Sequence, residues 1–527
     1  LTSKGKIARA AGAMSFATLI SRIFGYIKDM VLAKYFGATG TSDVFFVAFR
    51  IPNLLRELFA EGSMSSAFIP VLTESQTKKG KDDASRLVRA TFLFILVVVG
   101  ALCIAGAVFT PEIVTVIAPG FVSDPEKFSQ TVLLTRIMFP FLLFISLAAA
   151  AMGALNTRGV FFIPALAPVL LNISIIVCVF FLSAQFVNPI VAVAVGVTAG
   201  GLCQLLFQLP SFFGRGYSLF RIPDNGSFGA LWHPGLKKIG ILILPTIAGL
   251  AVVQINIFVS TMLASFLAEG SITYLYYSMR LIQFPIGLFG VAMGMAVLPA
   301  LSEHSARMDM SALKEDFSFA LRLLFFITVP AMAGLIALKE PIVNTLFQRG
   351  QFTYSATVGT SEALMFYAFG IWAIVGVRVL ASTFYSMQDT KTPVRVAVFS
   401  VAINIVFSVL LMGPMQHNGL AFANSLASIC NFVLLFYFLR TKLGGIGAKR
   451  IIKSFIKVLT ASFFMGAAGW FIIQSDLWMT SEGIMIKSLY LGVTIIICVG
   501  IYLLLSYVIK SEEMNYIIDR LRKKREN

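Results

Sequence analysis

The chain has 527 residues, 58% of them hydrophobic and only 13% charged, with a formal net charge of +17. Soluble proteins run near half apolar and about a quarter charged, so this composition excludes a soluble enzyme, even one with a single anchor. A helical bilayer span takes about 20 apolar residues, which the composition supplies a dozen times or more, and near-continuous apolar runs such as 90–109 lack the alternation of a β-barrel strand.

The expected fold class is therefore an all-α polytopic membrane protein. Lys4, Lys6 and Arg9 precede the first apolar stretch as in a signal peptide, but Arg22, Lys28 and Asp29 interrupt it and no small-residue cleavage site follows. Residues 10–33 thus read as a retained first helix. Apolar runs between charged or Gly/Pro-rich breaks place further spans at 43–71, 88–109, 131–155, 160–184, 188–213, 237–265, 272–300, 315–338, 359–386, 393–413, 418–440, 454–474 and 484–509, fourteen in all. Gly196, Gly200 and Gly201, the run Ala148 to Ala151, and Gly290 with Gly294 permit close helix approach. Cys103, Cys178, Cys203, Cys430 and Cys498 fall inside apolar runs without metal-ligand or redox spacing and read as small hydrophobes.

The connections alternate in charge. Of the 42 basic residues, 29 fall on one side, from Lys4 through the Lys78–Arg89 and Arg440–Lys457 groups to the tail Arg520–Arg525. Five (Lys34, Lys127, Lys339, Arg349 and Lys487) fall on the other, in loops that also carry Glu112, Asp124, Glu340 and Asp476. By the positive-inside rule both termini are cytoplasmic and the number of spans is even. Charge so placed marks topology, and no nucleic-acid partner is expected.

The sequence also repeats. Residues 67–74, AFIPVLTE, return as AVLPALSE at 296–303, an offset of 229, and Pro164 and Pro393 differ by the same number. Residues 40–50 echo 270–280 at offset 230, which sets Arg280 opposite Arg50. Six spans per offset give two copies of one orientation, related by a pseudo-twofold along the membrane normal, and then two additional helices. The expected domains are an N-terminal lobe (1–225), a C-terminal lobe (226–445), helices 13 and 14 (446–510) and a basic cytoplasmic tail (511–527).

Eight basic residues remain inside spans: Arg22, Lys28, Arg50, Arg56, Arg136, Arg280, Arg322 and Arg378. Each costs roughly 2.5 to 3.5 kcal/mol if it faces lipid near the midplane, so such residues are expected to face a cavity. The acids available to them are fewer, chiefly Asp29, Asp43, Glu57 and Glu61, and the surplus implies a cationic, water-filled chamber suited to an anionic substrate. Arg22 and Asp29 share a helix face, as do Asp43, Arg50 and Glu57 on a straight helix, so pairing that only fixes packing is the competing reading. Arg136 and Arg322, near span ends, are expected to snorkel to the interface. His233, His304 and His417 are scattered in or near loops, and no Walker A pattern is present.

The segments Ser21–Asp29 (SRIFGYIKD), Asp43–Arg56 (DVFFVAFRIPNLLR), Phe59–Ser63 (FAEGS) and Ala67–Pro70 (AFIP), with Tyr276, Tyr277, Arg280, Phe284, Pro285, the triplet 290–292 and the pair 298–299, resemble the MurJ (MviN) lipid II flippases. That family belongs to the multidrug/oligosaccharidyl-lipid/polysaccharide exporter superfamily, and the likeness covers the whole chain. It implies a non-enzymatic flippase of the bacterial inner membrane that moves lipid II, the undecaprenyl-pyrophosphate-linked disaccharide-pentapeptide of peptidoglycan synthesis, to the outer leaflet. It further implies alternating access through a V-shaped cavity between two lobes, a groove at the last two helices for the lipid tail, and functional residues at Arg22, Lys28, Asp29, Asp43, Arg56, Glu61 and Arg280. The charge reading adds Arg50 and Arg378. Many relatives have Arg where this chain has Lys28, which lacks the planar bidentate fork. Residues 242–265 contain no Asp or Glu, which argues against the sodium site that some relatives build on helix seven. No resident cofactor is expected; coupling to membrane potential or a monovalent ion is, and membrane lipids and the cell-wall synthesis machinery are the further partners. The alternatives are an exporter of another polyprenyl-pyrophosphate-linked oligosaccharide and a membrane glycosyltransferase.

Overall fold

Among the described residues, each of the fourteen apolar stretches is mainly helical in the computed structural model, which describes residues 3–57, 62–218, 233–479 and 483–526. Nine helical segments among the described residues are long and apolar enough to cross a membrane. The 53-residue segment Lys391–Leu443 is one of them, and a straight helix of that length would measure about 80 Å against a hydrocarbon core of about 30 Å. It breaks at Gln416 (φ 50°, ψ −135°), between the spans expected at 393–413 and 418–440. The described residues of the other four stretches, at 10–33, 43–71, 237–265 and 272–300, are mainly helical but fall outside those nine segments.

The chain separates into two compact units, Leu1–Phe266 and Leu267–Asn527. The first holds α1 (Ser3–Phe36), α2 (Gly40–Arg56), α3 (Gly62–Lys79), α4 (Lys81–Val108), α5 (Thr110–Ile117), α6 (Pro125–Thr157), α7 (Phe162–Leu166), α8 (Pro168–Leu182), α9 (Val191–Gly214) and α10 (Pro234–Ala264). Helix starts follow local chemistry. Asp124 caps α6 by accepting from the backbone N–H of Glu126 and Lys127, with Pro125 in the first turn, and the His233 ring accepts from Gly235 N–H at the start of α10. At the centre, α6 packs on α2, α3, α4 and α9, and its run Ala148 to Ala151 is buried. The glycines of α9 bring it against α8: a Cβ on Gly196 or Gly200 would sit 2.8 Å from the Cα of Ile175 or Leu171.

The second unit holds α11 (Ser271–Pro285), a π turn (Ile286–Gly290), α12 (Val291–Ala306), α13 (Met310–Ala337), α14 (Lys339–Phe347), α15 (Tyr354–Ala368), α16 (Ile371–Ser386), α17 (Lys391–Leu443), α18 (Ala448–Ile472), α19 (Ile484–Val508) and α20 (Glu512–Glu526). Here α13 is central, against α12, α16 and α18. Phe325 on α13 meets Phe455 on α18 at 5.0 Å between ring centroids, and Trp372 on α16 meets Phe432 on α17 at 5.1 Å. Such edge-on contacts contribute roughly 0.5–1.5 kcal/mol each beyond the burial of the rings.

Candidate functional site

The charged residues expected to act on a substrate lie on α1, α2, α11 and α16. On α1, Arg22 is exposed and makes no hydrogen bond or ion pair among the described residues. Two turns on, Lys28 Nζ lies 2.9 Å from Asp29 Oδ1, with the two side chains 11% and 0% exposed. The acid that shares a face with Arg22 is thus bound to its own chain neighbour.

On α2, Asp43 is buried in the first turn and Arg50 is half-buried two turns later. At the end of the helix Arg56 Nε donates to Asn53 Oδ1 (3.0 Å), and its Nη2 stands 3.9 Å from Glu57 Oε1. Asn53 Nδ2 also donates to Glu57 Oε1 (3.0 Å), while Gln254 Nε2 on α10 donates to Glu57 Oε2 (2.6 Å). Gln254 is buried, and it was not among the residues singled out from the sequence. The only signal available was a glutamine, two residues before Asn256, in a mostly apolar helix. Glu61 lies outside the described residues.

In the second unit Arg280 is half-buried on α11, one turn after the edge-packed rings of Tyr276 and Tyr277. Arg378 on α16 lays its stem beside the π turn that follows α11: a Cβ on Gly290 would stand 3.5 Å from Arg378 Cδ. Like Arg22, it has no hydrogen bond or ion pair among the described residues.

Two intramembrane arginines have other occupations. Arg136 Nε donates to the carbonyl of Ala107 at the end of α4 (3.0 Å). Arg322 departs from the interfacial expectation. It is 4% exposed, and its Nη1 donates to Glu512 Oε2 (2.6 Å) and Glu513 Oε1 (2.8 Å) on α20. Arg450 also binds Glu512, and Ser454 and Ser511 donate to Glu513. Arg450 and Arg322 hold the Glu512 carboxyl below the usual range, chiefly through the Arg450 hydrogen bond. Lys487, counted above with the outer loops, is buried, with Nζ 3.0 Å from Asn344 Oδ1.

Cations that keep their charge without an acid are suited to holding an anion, in which an arginine's planar fork can engage two oxygens of a phosphate at once. The family model of "Lipid II flippase MurJ" matches residues 32–490. This chain belongs to the lipid II flippase MurJ family. It is 36% identical over 469 residues to a "Probable lipid II flippase MurJ" of Haemophilus influenzae, covering 86% of this chain and 91% of that one. It is 33% identical over 469 residues to the "Lipid II flippase MurJ" of Burkholderia cenocepacia, covering 89% and 90%. Among solved structures it resembles a "Lipid II flippase MurJ, inward closed conformation" (TM-score 0.77, 29% identity, 94% of this chain and 98% of that one). An inward-facing multidrug-resistance transporter of the MATE family in the MOP superfamily shares the fold at 15% identity (TM-score 0.68, 82% and 98%).

Proposed function

We propose that this chain carries lipid II from the inner to the outer leaflet of the bacterial cytoplasmic membrane by alternating access through a cationic cavity, with both termini cytoplasmic. The observation that carries this reading is a contrast within one MurJ-family chain. Arg322 is neutralised by two glutamates, whereas Arg22 and Arg378 have no acidic partner among the described residues.

A pyrophosphate leaving water loses hydration that only opposite charge and hydrogen bonds replace. In this reading Arg22, Lys28, Arg50 and Arg56 act on it from the first unit, Arg280 and Arg378 from the second, and Asp29, Asp43 and Glu61 set their positions. The tail stays in lipid throughout, so only the headgroup needs the polar path. No covalent step and no resident cofactor are needed. Membrane potential supports the return of the empty, positively charged carrier, since each elementary charge moved across the whole field is worth roughly 2.3 kcal/mol per 100 mV. Membrane lipids and the enzymes that consume lipid II in the outer leaflet are its partners.

The test is a leaflet-resolved assay of lipid II in vesicles holding the purified chain, with and without an imposed potential. Translocation that depends on Arg22 and Arg280 is the expected result. Polymerisation of lipid II by the purified chain would replace this reading with a glycosyltransferase.

A further inference from the structure

Within the second unit a cavity of about 770 Å³ opens among α13, α14, α15 and α18. Its walls are apolar, with Met332 and Ile336 on α13, Met365 on α15, and Leu459, Phe463 and Trp470 on α18. Along α18 the lining runs from Leu459 to Ile473, about 21 Å at 1.5 Å per residue. That is some two thirds of a hydrocarbon core of about 30 Å, the reach of one acyl chain entering from one membrane face. None of its lining residues belongs to α19, so it is separate from a groove between the last two helices.

The polar lining groups gather at helix ends. Lys339 and Glu340 open α14, and Asp476 follows the end of α18. Glu340 Oε1 accepts from the Tyr354 hydroxyl (2.6 Å), and among the described residues Lys339 Nζ has only the Met365 sulfur at 3.7 Å. Asp476 is exposed, and its carboxylate has no partner among the described residues. Two carboxylates and one ammonium thus stand with unused hydrogen-bonding capacity above an apolar slot. Their net negative charge repels a pyrophosphate, which separates this slot from the path of the substrate headgroup. A phosphodiester beside a primary ammonium matches the set, with the ammonium donating to Glu340 and Asp476 and the phosphate accepting from Lys339.

We propose that this slot binds one phospholipid with a primary-amine zwitterionic headgroup, of the phosphatidylethanolamine type, with an acyl chain along α13 and α18. The proposal stands apart from the transport reading, and its test uses no transport assay. The full chain, purified in detergent and stripped of lipid, is offered equimolar phosphatidylethanolamine and phosphatidylglycerol with identical chains and examined by native mass spectrometry. One retained phosphatidylethanolamine per chain is expected, at least fivefold over phosphatidylglycerol. The double substitution Glu340→Gln, Asp476→Asn is expected to abolish that preference, and Lys339→Ala to weaken retention of both lipids. Equal retention by the unaltered chain, or a preference that survives the double substitution, overturns the proposal. Location is read independently: phosphatidylethanolamine brominated on its acyl chain should quench the tryptophan fluorescence of the unaltered chain, and the quenching should fall by more than half in the double substitution Trp470→Phe, Trp478→Phe, which removes both tryptophans that line the slot. Undiminished quenching in that variant places the lipid elsewhere and overturns the assignment.

Discussion

Gln254 donates its side-chain amide to Glu57 across 2.6 Å, tying the middle of α10 to the residue that follows α2. The same carboxylate receives Asn53 and stands beside Arg56, so a neutral residue on a distant helix helps to set the position of a candidate substrate cation. Hydrogen bonds to charged groups contribute about 1.5–3 kcal/mol. Glu57→Ala and Gln254→Ala should each destabilise the detergent-solubilised chain by about 1–3 kcal/mol. The double variant should fall short of the sum by about 1 kcal/mol in thermal unfolding. Strict additivity would mean that the two side chains are not coupled.

Arg22→Ala and Arg280→Ala should each lower lipid II translocation at least tenfold, which corresponds to about 1.4 kcal/mol in the barrier. Membrane insertion and unfolding temperature should stay near those of the unaltered chain. Arg22→Lys should retain part of the rate, because it keeps the charge and loses the fork. Near-normal translocation by either alanine variant removes the cationic-cavity mechanism.

Removing one partner of a buried ion pair leaves the other charge uncompensated, at a cost of about 3–5 kcal/mol. With the Arg322 and Glu513 side chains 5% and 1% exposed, Glu513→Ala should release α20. Hydrogen exchange over residues 512–526 would rise sharply, while α13 would stay protected. Replacing both residues with methionine should restore much of the protection, since similar volume without charge removes the penalty. Unchanged exchange in Glu513→Ala would show that α20 is held by something else.

Asp389, between α16 and α17, accepts from Lys442 Nζ (2.6 Å) and from the backbone and hydroxyl of Thr392. The Lys442 hydrogen bond, chief among these, holds its carboxyl down at about 2. A carboxyl depressed on folding adds stability above its unfolded value near 4, and that contribution drains away as pH falls from about 4 towards 2. Lys442 is 43% exposed, so solvent limits the pair to under about 1 kcal/mol. Asp389→Asn should lower the unfolding temperature slightly at pH 7 and flatten its pH dependence below 4. The same slope in both chains would assign the acid sensitivity to other groups.

Gly120 touches the end of α10. Its N–H donates to Ser265 Oγ (3.0 Å), and a Cβ there would lie 2.2 Å from the Ser265 carbonyl oxygen, a backbone atom with little freedom to move. Gly120→Ala should therefore cost more than 1 kcal/mol in thermal unfolding, whereas Gly100→Ala, with open space at its Cβ, should cost nothing. Equal stability of the two variants would mean that this loop yields freely.

The helices were legible because lipid imposes a strong rule: long apolar runs must satisfy their own backbone. Even the break in α17 is visible in the sequence, where Gly413 and Pro414 interrupt an apolar run just ahead of Gln416. The location of the cations was legible too, since a charge in such a run is conspicuous. What the sequence hides is whether a given charge is already neutralised. Arg322 and Arg378 are both cations inside apolar spans, yet the acids that bind Arg322 lie 190 and 191 residues away beyond the last span. Lys487 reads as a loop lysine until Asn344, 143 residues earlier, is found beside it. Gln254 carries no charge, and a polar side chain in a mostly apolar helix is a weak signal.

The arrangement at Arg322 also bears on how the chain is made. During synthesis α13 is committed to the membrane while the two glutamates that neutralise its arginine are still 190 residues from being translated. A nascent or prematurely stopped chain that lacks α20 therefore carries Arg322 uncompensated, and the finished chain pairs it with Glu512 and Glu513. The energetics of α13 therefore differ between a copy cut short before α20 and a whole one, in which the two glutamates offset the buried arginine.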